Sequence, residues 1–273
     1  MAQIPYGPGV GGVFSIVHCR AFPHRKVTFA GIIAMMLALS ACTSNNPTLS
    51  LGNLQSEGTS ATPAAFTRGD EAPAETLGRR EVIKNPTQAQ LLETGPLPDR
   101  TMGNRNARVT VIEYGSWTCP YCREFRKRTW PAFKREYIDT GKVHYILREF
   151  PIGRSSGNAA LITRCAPAKH YFRLYSLYLA NQHKWVSQDV RTDAIYSIAA
   201  QTGMTRAAFN ACLKNKKLIE GVKWSKTRGR ELGVIGTPTF FINEKQVRSF
   251  ITIEELRQHL DPLLRGQLTA SSG

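Results

Sequence analysis

The sequence predicts an α/β fold in which a buried strand carries two cysteines to the start of a helix. Residues 109–114 form a nearly continuous apolar run, which is typical of a strand covered on both faces, and Gly115 and Ser116 end it. Apolar residues then follow helical spacing from Pro120 to about Tyr137. The later patterns complete the order β, α, β, a helical block, then β, β, α.

The start of this first helix carries the chemistry. Cys119 takes the capping position, Pro120 suits the first helical position, and Cys122 falls in the same first turn. Unpaired backbone N–H groups and the helix dipole favour an anion there, so we expect Cys119 to ionise more readily than a free cysteine. Its thiolate would attack a substrate disulfide, and Cys122 would then attack the mixed disulfide.

A CPYC sequence is also compatible with half of a zinc site or with two structural cysteines. Zinc would need a second C-x-x-C or a Cys/His pair, and Cys165 and Cys212 have no such neighbour at ligand spacing. We therefore expect a redox-active pair with neither a metal nor a cofactor. The basic run from Arg126 to Arg128 is expected to be a solvated helix face.

The elements after this helix follow from shorter patterns. Residues 143–147 predict a second strand, parallel to the first with a right-handed crossover, because one helix connects them. Residues 155–232 show helical spacing throughout, and Gly203 and a cap at Thr205 divide them.

The last part of the chain predicts two strands and a helix. Strand character returns at residues 236–243, and a turn at 243–245 leads to a partner strand at 246–250. Thr252 then caps a final helix over residues 253–260.

Residues 1–41 have the pattern of an export signal. Three basic residues precede a mostly apolar run, Val27 to Ala41, which is too short to span a bilayer comfortably. Its ending, LSAC, resembles the lipobox of bacterial lipoproteins and would make Cys42 the lipidated first residue of the mature chain. Thr43 would then direct sorting to the outer membrane in a Gram-negative host. An ordinary signal peptide is the alternative, and a start downstream of Met1 would fit the long segment before the apolar run.

Residues 42–100 predict a flexible tether. They are rich in Ser, Thr, Asn, Pro and Gly, with Phe66 as the sole aromatic residue, and such a composition cannot build a core. A short helix around Gln88 to Glu93 would dock on the domain that follows. Residues 267–273 predict a disordered tail.

The chain is strongly basic, with a formal charge of +16. Three basic residues lie in residues 1–42, so the remainder has 33 basic and 20 acidic residues, a charge of +13. In an exported protein this charge suits anionic lipid or acidic cell-wall material, and the compartment argues against nucleic acid. Export also implies an oxidising environment, where cysteine pairs are redox-active or bonded.

Several motifs together resemble the DsbA-like family of thioredoxin-fold proteins. The matching stretches are Gly103-Asn104, Val109-Thr110, Glu113 six residues before Cys119, the CPYC with Pro120 and Tyr121, Gly141 to Val143, Arg148 to Pro151, and Gly236 to Pro238. The resemblance covers about residues 100–265. It implies a thioredoxin fold, with a central mixed sheet flanked by helices, split into residues 101–154 and 233–266 by a helical insertion at 155–232.

The same resemblance implies roles for residues around the cysteines. A cis peptide bond before Pro238 would lie opposite the pair, where an extended substrate could bind the backbone of Thr237. Glu113, a buried acid, would exchange a proton with Cys122 and pair with Arg148 on the neighbouring strand. An ordinary structural ion pair is the alternative for Glu113.

Cys165 and Cys212 lie on predicted helices of the insertion. Of the four cysteines after Cys42, pairing Cys119 with Cys122 leaves these two as a candidate structural disulfide. Closing a loop of about 47 residues would stabilise the fold by about 4 kcal/mol on the chain-entropy estimate. Two unlinked buried cysteines are the alternative.

The motifs predict a lipid-anchored thiol:disulfide oxidoreductase in the cell envelope, facing the periplasm. Its partners would be exported proteins that contain cysteine and a redox partner in the membrane or periplasm. Tyr121 and Thr237 resemble isomerase and reductase relatives, but the polar tether is not the dimerisation domain that those relatives usually carry. We therefore favour the oxidase direction, with isomerase or reductase second.

Two functions of other classes remain open. A thiol protein that binds Cu(I) without redox exchange would suit CPYC, although Met102 and Met204 are the only methionines after the leader segment. A surface lipoprotein with vestigial cysteines is the other, and the intact CPYC, Glu113 and Pro238 argue against it.

Overall fold

The fold is organised around a five-stranded mixed sheet. The structure is a computed structural model that describes residues 65–66 and 81–270, the last four by backbone alone, all within the unit Gln55–Gly273. The strands are β1 Arg100–Gly103, β2 Val109–Gly115, β3 Val143–Glu149, β4 Thr239–Ile242 and β5 Lys245–Arg248. Their order is β1-β3-β2-β4-β5, and β2 and β3 are parallel while the other neighbours are antiparallel. This is the mixed sheet that the sequence predicts.

Ten α-helices surround the sheet in the described part of the chain. They are α1 Gln88–Leu92, α2 Pro120–Glu124, α3 Trp130–Phe133, α4 Gly153–Cys165, α5 Tyr171–Ala180, α6 Gln182–Trp185, α7 Thr192–Ala199, α8 Arg206–Leu213, α9 Lys216–Glu231 and α10 Ile253–Ala270. Two π-helical turns, Phe125–Thr129 and Lys134–Ile138, extend α2 and α3 into one helical stretch. Helices α4 to α9 lie between β3 and β4 in the chain and form the predicted insertion.

Strand β2 is buried along its whole length, and its side chains alternate between two cores. Val109 and Val111 pack in the larger core, which also holds both cysteines of the CPYC. Ile112 and Tyr114 pack in the smaller core on the opposite face. Since side chains along a strand alternate with period two, Glu113 falls on the face of the larger core.

The insertion holds the loop between β2 and α2. Ser156 of α4 accepts a hydrogen bond from the backbone N–H of Trp117 at 3.0 Å, and the Trp117 indole donates to Thr163 at 2.9 Å. The Gln182 amide of α6 donates to the carbonyl oxygens of Trp117 and Cys119, both at 3.0 Å. The helical insertion therefore fixes the loop that carries the first cysteine.

A disulfide ties the insertion together. Cys165 at the end of α4 is bonded to Cys212 of α8, with their Cα atoms 6.1 Å apart. This is the pairing that the cysteine count predicts, and it joins segments that are 47 residues apart in the chain.

The end of the predicted tether belongs to the folded domain. The predicted short helix is present as α1, where Thr87 and Gln90 form a capping box, and Leu91 is fully buried. The sequence did not predict β1, which begins at Arg100. Phe66 is also buried, and its backbone is bonded to the Asn158 side chain. The boundary at residue 100 is therefore too late, because a few apolar anchors are hard to see in a polar segment.

The last helix is longer than predicted. It continues from Ile253 to Ala270 with Pro262 inside it, so it overlaps the predicted tail at 267–273. Leu264 lies beyond the expected end at residue 260 and packs against the larger core, which accounts for the extra turns. The predicted signal segment, Cys42 and most of the predicted tether lie outside the described residues. No helix in the described ranges is both long and apolar enough to cross a bilayer.

Candidate active site

The two cysteines lie at the start of α2, as the sequence predicts. Cys119 has extended dihedral angles and caps the helix, and its sulfur accepts a hydrogen bond from the Cys122 backbone N–H at 3.4 Å. Pro120 occupies the first turn, where its missing N–H leaves no bond unmade. Both cysteines are unbonded thiols in the structure. The local sequence alone accounts for this geometry.

The environments of the two sulfurs differ. Hydrogen bonding from the Cys122 thiol, aided by backbone N–H groups of Cys122 and Tyr121, lowers the pKa of Cys119 to about 6. Burial raises the pKa of Cys122 well above its usual range, and the charges of Cys119 and Glu113 raise it further. Cys119 keeps 8% of its surface exposed whereas Cys122 keeps none, so only Cys119 is both ionised near neutral pH and within reach of another molecule.

The loop before β4 faces Cys119. The Thr237–Pro238 peptide bond is cis, as the family resemblance implies. The Cys119 thiol lies 3.0 Å from the carbonyl oxygen of Thr237, and the Pro238 carbonyl accepts a hydrogen bond from the Ser249 backbone at 2.9 Å. The Thr237 backbone therefore lies directly beside the reactive sulfur.

Glu113 lies in the interior of the site. It is fully buried, and it accepts hydrogen bonds from the hydroxyls of Tyr145 at 2.5 Å and Tyr175 at 3.2 Å. Arg126 is its nearest cation, with Nη2 3.7 Å from Glu113 Oε2. Burial raises the pKa of Glu113, and Arg126 and the two tyrosines offset this only in part. The carboxyl group therefore holds its proton to a higher pH than an exposed glutamate.

Arg148 is not the partner of Glu113, and that expectation is wrong. Arg148 lies opposite Tyr114 in the β2–β3 register, while Glu113 lies opposite Leu147. Because neighbouring residues of a strand face opposite sides of a sheet, Arg148 points into the other core. There it binds both carboxylate oxygens of Asp99 at 2.9 Å and supports the segment that follows α1.

Three residues of the site were not identified from the sequence, namely Arg126, Tyr145 and Tyr175. Arg126 was expected on a solvated face, yet it is only 8% exposed. Its position four residues after Cys122 could have suggested a shared helix face, and Tyr145 lies two residues before Leu147 on the same face of β3. Tyr175 comes from the insertion, and no local signal connects it to the cysteines.

Exposed apolar side chains lie on the segments that adjoin Cys119 and the cis-proline loop. Tyr121 is 57% exposed, and Ile235, next to the cis-proline loop, is 81% exposed. Ile152 and Val186 are also exposed, and the Ile152 carbonyl accepts a hydrogen bond from Thr118 at 3.0 Å, beside Cys119. Among residues 65–66 and 81–270, the structure brings together no group of three or more His, Cys, Asp or Glu side chains that could hold a metal ion.

Comparisons with known proteins agree with this geometry. The family model described as Thioredoxin matches residues 97–262. Among curated relatives, a "Putative protein-disulfide oxidoreductase" of Rickettsia conorii is 31% identical over 67% of this chain and 68% of its own length. A protein of the same description from Rickettsia typhi is 29% identical over 62% of this chain. The chain spans 63% of the length of that second relative.

Solved structures of other proteins have the same fold as this chain. The crystal structure of alpha-DsbA1 from Wolbachia pipientis is 28% identical, with a TM-score of 0.61 over 67% of this chain and 99% of that one. BdbD from Bacillus subtilis, at 19% identity and a TM-score of 0.57 over 68% of this chain and all of that one, shares the fold. From the sheet, the cysteine pair and these matches together, the chain belongs to the DsbA-like family of thioredoxin-fold thiol:disulfide oxidoreductases.

Proposed function

We propose that this protein exchanges disulfides with other proteins through Cys119 and Cys122. The asymmetry of the pair is the observation that supports this most directly. The attacking sulfur must be ionised and reachable, and Cys119 meets both conditions with a pKa of about 6. The second sulfur must stay protonated until it acts, and burial keeps the pKa of Cys122 high.

The reaction proceeds in two exchange steps. The Cys119 thiolate attacks one sulfur of a substrate disulfide and releases the other sulfur as a thiolate. Cys122 then loses its proton, bonds to Cys119, and releases the second substrate sulfur. Glu113 accepts that proton, and it returns the proton when the oxidised pair acts on a dithiol. Two electrons move in each cycle, and no cofactor takes part.

The low pKa of Cys119 supports the oxidase direction. A thiolate that is stabilised in the reduced protein makes the disulfide form a stronger oxidant. Each pKa unit corresponds to about 1.4 kcal/mol, which is about 30 mV for a two-electron couple. The reductase or isomerase direction is the alternative, and the equilibrium potential against glutathione decides between them.

The substrates we propose are exported proteins with accessible cysteines. An extended segment that binds the Thr237 backbone would bring its own cysteine to Cys119, and the exposed side chains of Tyr121 and Ile235 would contact apolar neighbours of that cysteine. A redox partner in the membrane or periplasm would restore the active form. Nucleic acid is not among the proposed partners.

We also propose that Cys42 is lipidated and holds the domain at the envelope membrane, in the outer membrane if the host is Gram-negative. The LSAC ending of the apolar leader supports this proposal. Cys42→Ala should move the protein from the membrane fraction to the soluble fraction. In mass spectrometry, the N-terminal peptide of the variant should lack the added mass of the lipid. An unchanged distribution would contradict the anchor without affecting the chemistry at Cys119.

Trapping of mixed disulfides tests the exchange activity. Cys122→Ser leaves the attacking thiol but removes the thiol that resolves the intermediate, so exported proteins should accumulate as adducts at Cys119. They would be detected as bands that disappear on reduction and identified by mass spectrometry.

Cys119→Ser is the matched control. It keeps the buried thiol, which is fully covered, so adducts should be at least tenfold fewer. Absence of adducts in both variants together with tight Cu(I) binding would contradict the proposal and support the copper-binding alternative.

A further inference from the structure

Arg126 is held at the interior of the site by aromatic side chains. It follows Cys122 by one helical turn, and its guanidinium carbon lies 3.7 Å from the ring centre of Trp130 and 4.9 Å from that of Tyr175. Aromatic faces attract a cation and fix its place while leaving it charged. Its Nε and Nη1 atoms have no hydrogen-bond partner among the described residues, so its polar contacts are made through Nη2.

Those contacts have a fixed direction. Arg126 Nη2 lies 3.2 Å from the Tyr145 hydroxyl oxygen, and arginine can only donate hydrogen bonds. The Tyr145 hydroxyl therefore accepts from Arg126 and donates its own proton to Glu113. The Tyr175 hydroxyl donates to Glu113 as well. Each neighbour presents a donor or a positive charge, and such contacts favour the ionised carboxylate.

We propose that Arg126 is a positioning residue that keeps Glu113 able to accept the proton of Cys122, and that it acts through Glu113. The inference rests on the proposed function, because it concerns the release step. In that step the S–H bond of Cys122 breaks and an S–S bond to Cys119 forms. The bond between Cys119 and the substrate sulfur breaks, the substrate leaves as a thiolate, and Glu113 takes the proton.

A cation is needed because burial works in the opposite direction. Burial raises the pKa of Glu113, so without Arg126 the carboxyl group would stay protonated to a still higher pH and could not accept a proton. The groups that face Glu113 are Arg126 from the π-helical turn, Tyr145 from β3, Tyr175 from α5 and Cys122 from α2. Strand β4 places the uncharged Phe240 opposite it.

The release step can be followed separately from the first attack. The full-length protein, with Cys19→Ser and Cys42→Ser and with the Cys165–Cys212 disulfide intact, is reduced at the CPYC and mixed with dithiobis(nitrobenzoic acid). Attack by Cys119 releases one coloured thiolate, and attack by Cys122 on the mixed disulfide releases a second. The two rates are recorded between about pH 5 and pH 9.

Arg126→Met should move the midpoint of the second phase up by at least one pH unit, which is about a tenfold slower release near neutral pH. The first phase should keep its midpoint near pH 6. Arg126→Lys keeps the charge and should restore most of the second-phase rate. An Arg126→Met protein with the unchanged second-phase midpoint would overturn the proposal. If that variant does not fold, Arg126→Gln, which is polar but uncharged, should show the same upward shift of the second-phase midpoint, and an unchanged midpoint in Arg126→Gln would overturn the proposal.

Arg148→Met is the matched control, because it also removes a buried arginine but on the opposite face of the sheet. It should lower stability and leave the second-phase midpoint in place. In a Glu113→Gln background, Arg126→Met should cause no further shift. A shift of the same size there would show that Arg126 acts on the thiol directly and would overturn the proposal. A first phase as slow as that of free cysteine would instead contradict the proposed function.

Discussion

Glu113 and Glu149 are both fully buried in the neighbouring parallel strands β2 and β3, yet their pKa values move in opposite directions. Burial raises the pKa of Glu113, and Arg126 at 3.7 Å only partly offsets it. Burial acts on Glu149 in the same way, but Arg164 donates to both of its oxygens and Tyr171 adds a bond at 2.5 Å. The pKa of Glu149 therefore falls below its usual range.

The difference shows that, at equal burial, the geometry of the arginine partner decides whether the pKa of a buried carboxyl group rises or falls. A bidentate guanidinium holds Glu149 in its ionised form and connects β3 to α4. The looser contact to Arg126 does not fully offset the burial of Glu113, so the pKa of that carboxyl group stays above its usual range. Glu113 is also the carboxyl group whose charge raises the pKa of Cys122, and it is therefore the one that we propose exchanges a proton with that thiol.

Removing the charge of Glu149 should have the greatest effect on stability. Glu149→Gln should lower the free energy of unfolding by about 3–5 kcal/mol, because Arg164 would remain buried without its charged partner. Glu113→Gln should cost clearly less, because the folded protein already tolerates the neutral form at this position. Urea unfolding of both variants at neutral pH measures the difference. Equal losses would show that the two ion pairs have the same role.

Removal of the disulfide tests whether the insertion stabilises the fold without affecting Glu113. Cys165 follows Arg164 at the end of α4, so the bond to Cys212 holds the helix that delivers Arg164 to Glu149. Replacing both cysteines by alanine should lower the free energy of unfolding by about 2–4 kcal/mol. The midpoint of the second thiol-exchange phase should not move. A shift in that midpoint would mean that the insertion also tunes Glu113.

The contributions of Glu149 and Glu113 to the free energy of unfolding should change with pH in opposite directions. The folded-state pKa of Glu149 is lowered, so its contribution is present above the unfolded pKa and is lost as the pH falls through the folded value. The folded-state pKa of Glu113 is raised, so its contribution is present at low pH and is lost as the pH rises through the folded value.

Urea unfolding between about pH 3 and pH 8 measures both contributions. The stability of wild type relative to Glu149→Gln should decrease toward acid, and relative to Glu113→Gln it should decrease toward neutral pH. Each slope is at most about 1.4 kcal/mol per pH unit for one proton. Slopes of the same sign would contradict the assignment.

Loss of the Tyr175 hydroxyl should have a modest effect on Glu113. Tyr175→Phe removes one hydrogen bond of 3.2 Å, and a net hydrogen bond contributes about 0.5–1.5 kcal/mol. The midpoint of the second phase should therefore rise by about half a pH unit. Tyr178→Phe is the control, because that hydroxyl lies on the same helix and donates to the Ile195 carbonyl. Equal shifts in both variants would indicate a general effect on packing.

The elements that were predicted correctly from the sequence are those that local forces determine. The cap at Cys119, the proline at the first turn, and the alternation of β2 all follow from residues within a few positions of each other. Arg148 was expected beside Glu113 because it lies on the neighbouring strand, but in the strand register it lies opposite Tyr114. A shift of one residue moves a side chain to the other face of a sheet, so the register had to be known.

The mixed sheet was an expectation from the resemblance to a known family. The residues themselves predicted that a helix begins at the cysteine pair and that an acid is buried in the strand before it. These properties depend on residue type and short spacing. The charge that faces Glu113 depends on the tertiary structure, because Arg126, Tyr145 and Tyr175 come from three separate elements. Strand register and helix packing bring such groups together, and the pKa of a buried acid responds to charges a few ångströms away, wherever they stand in the chain.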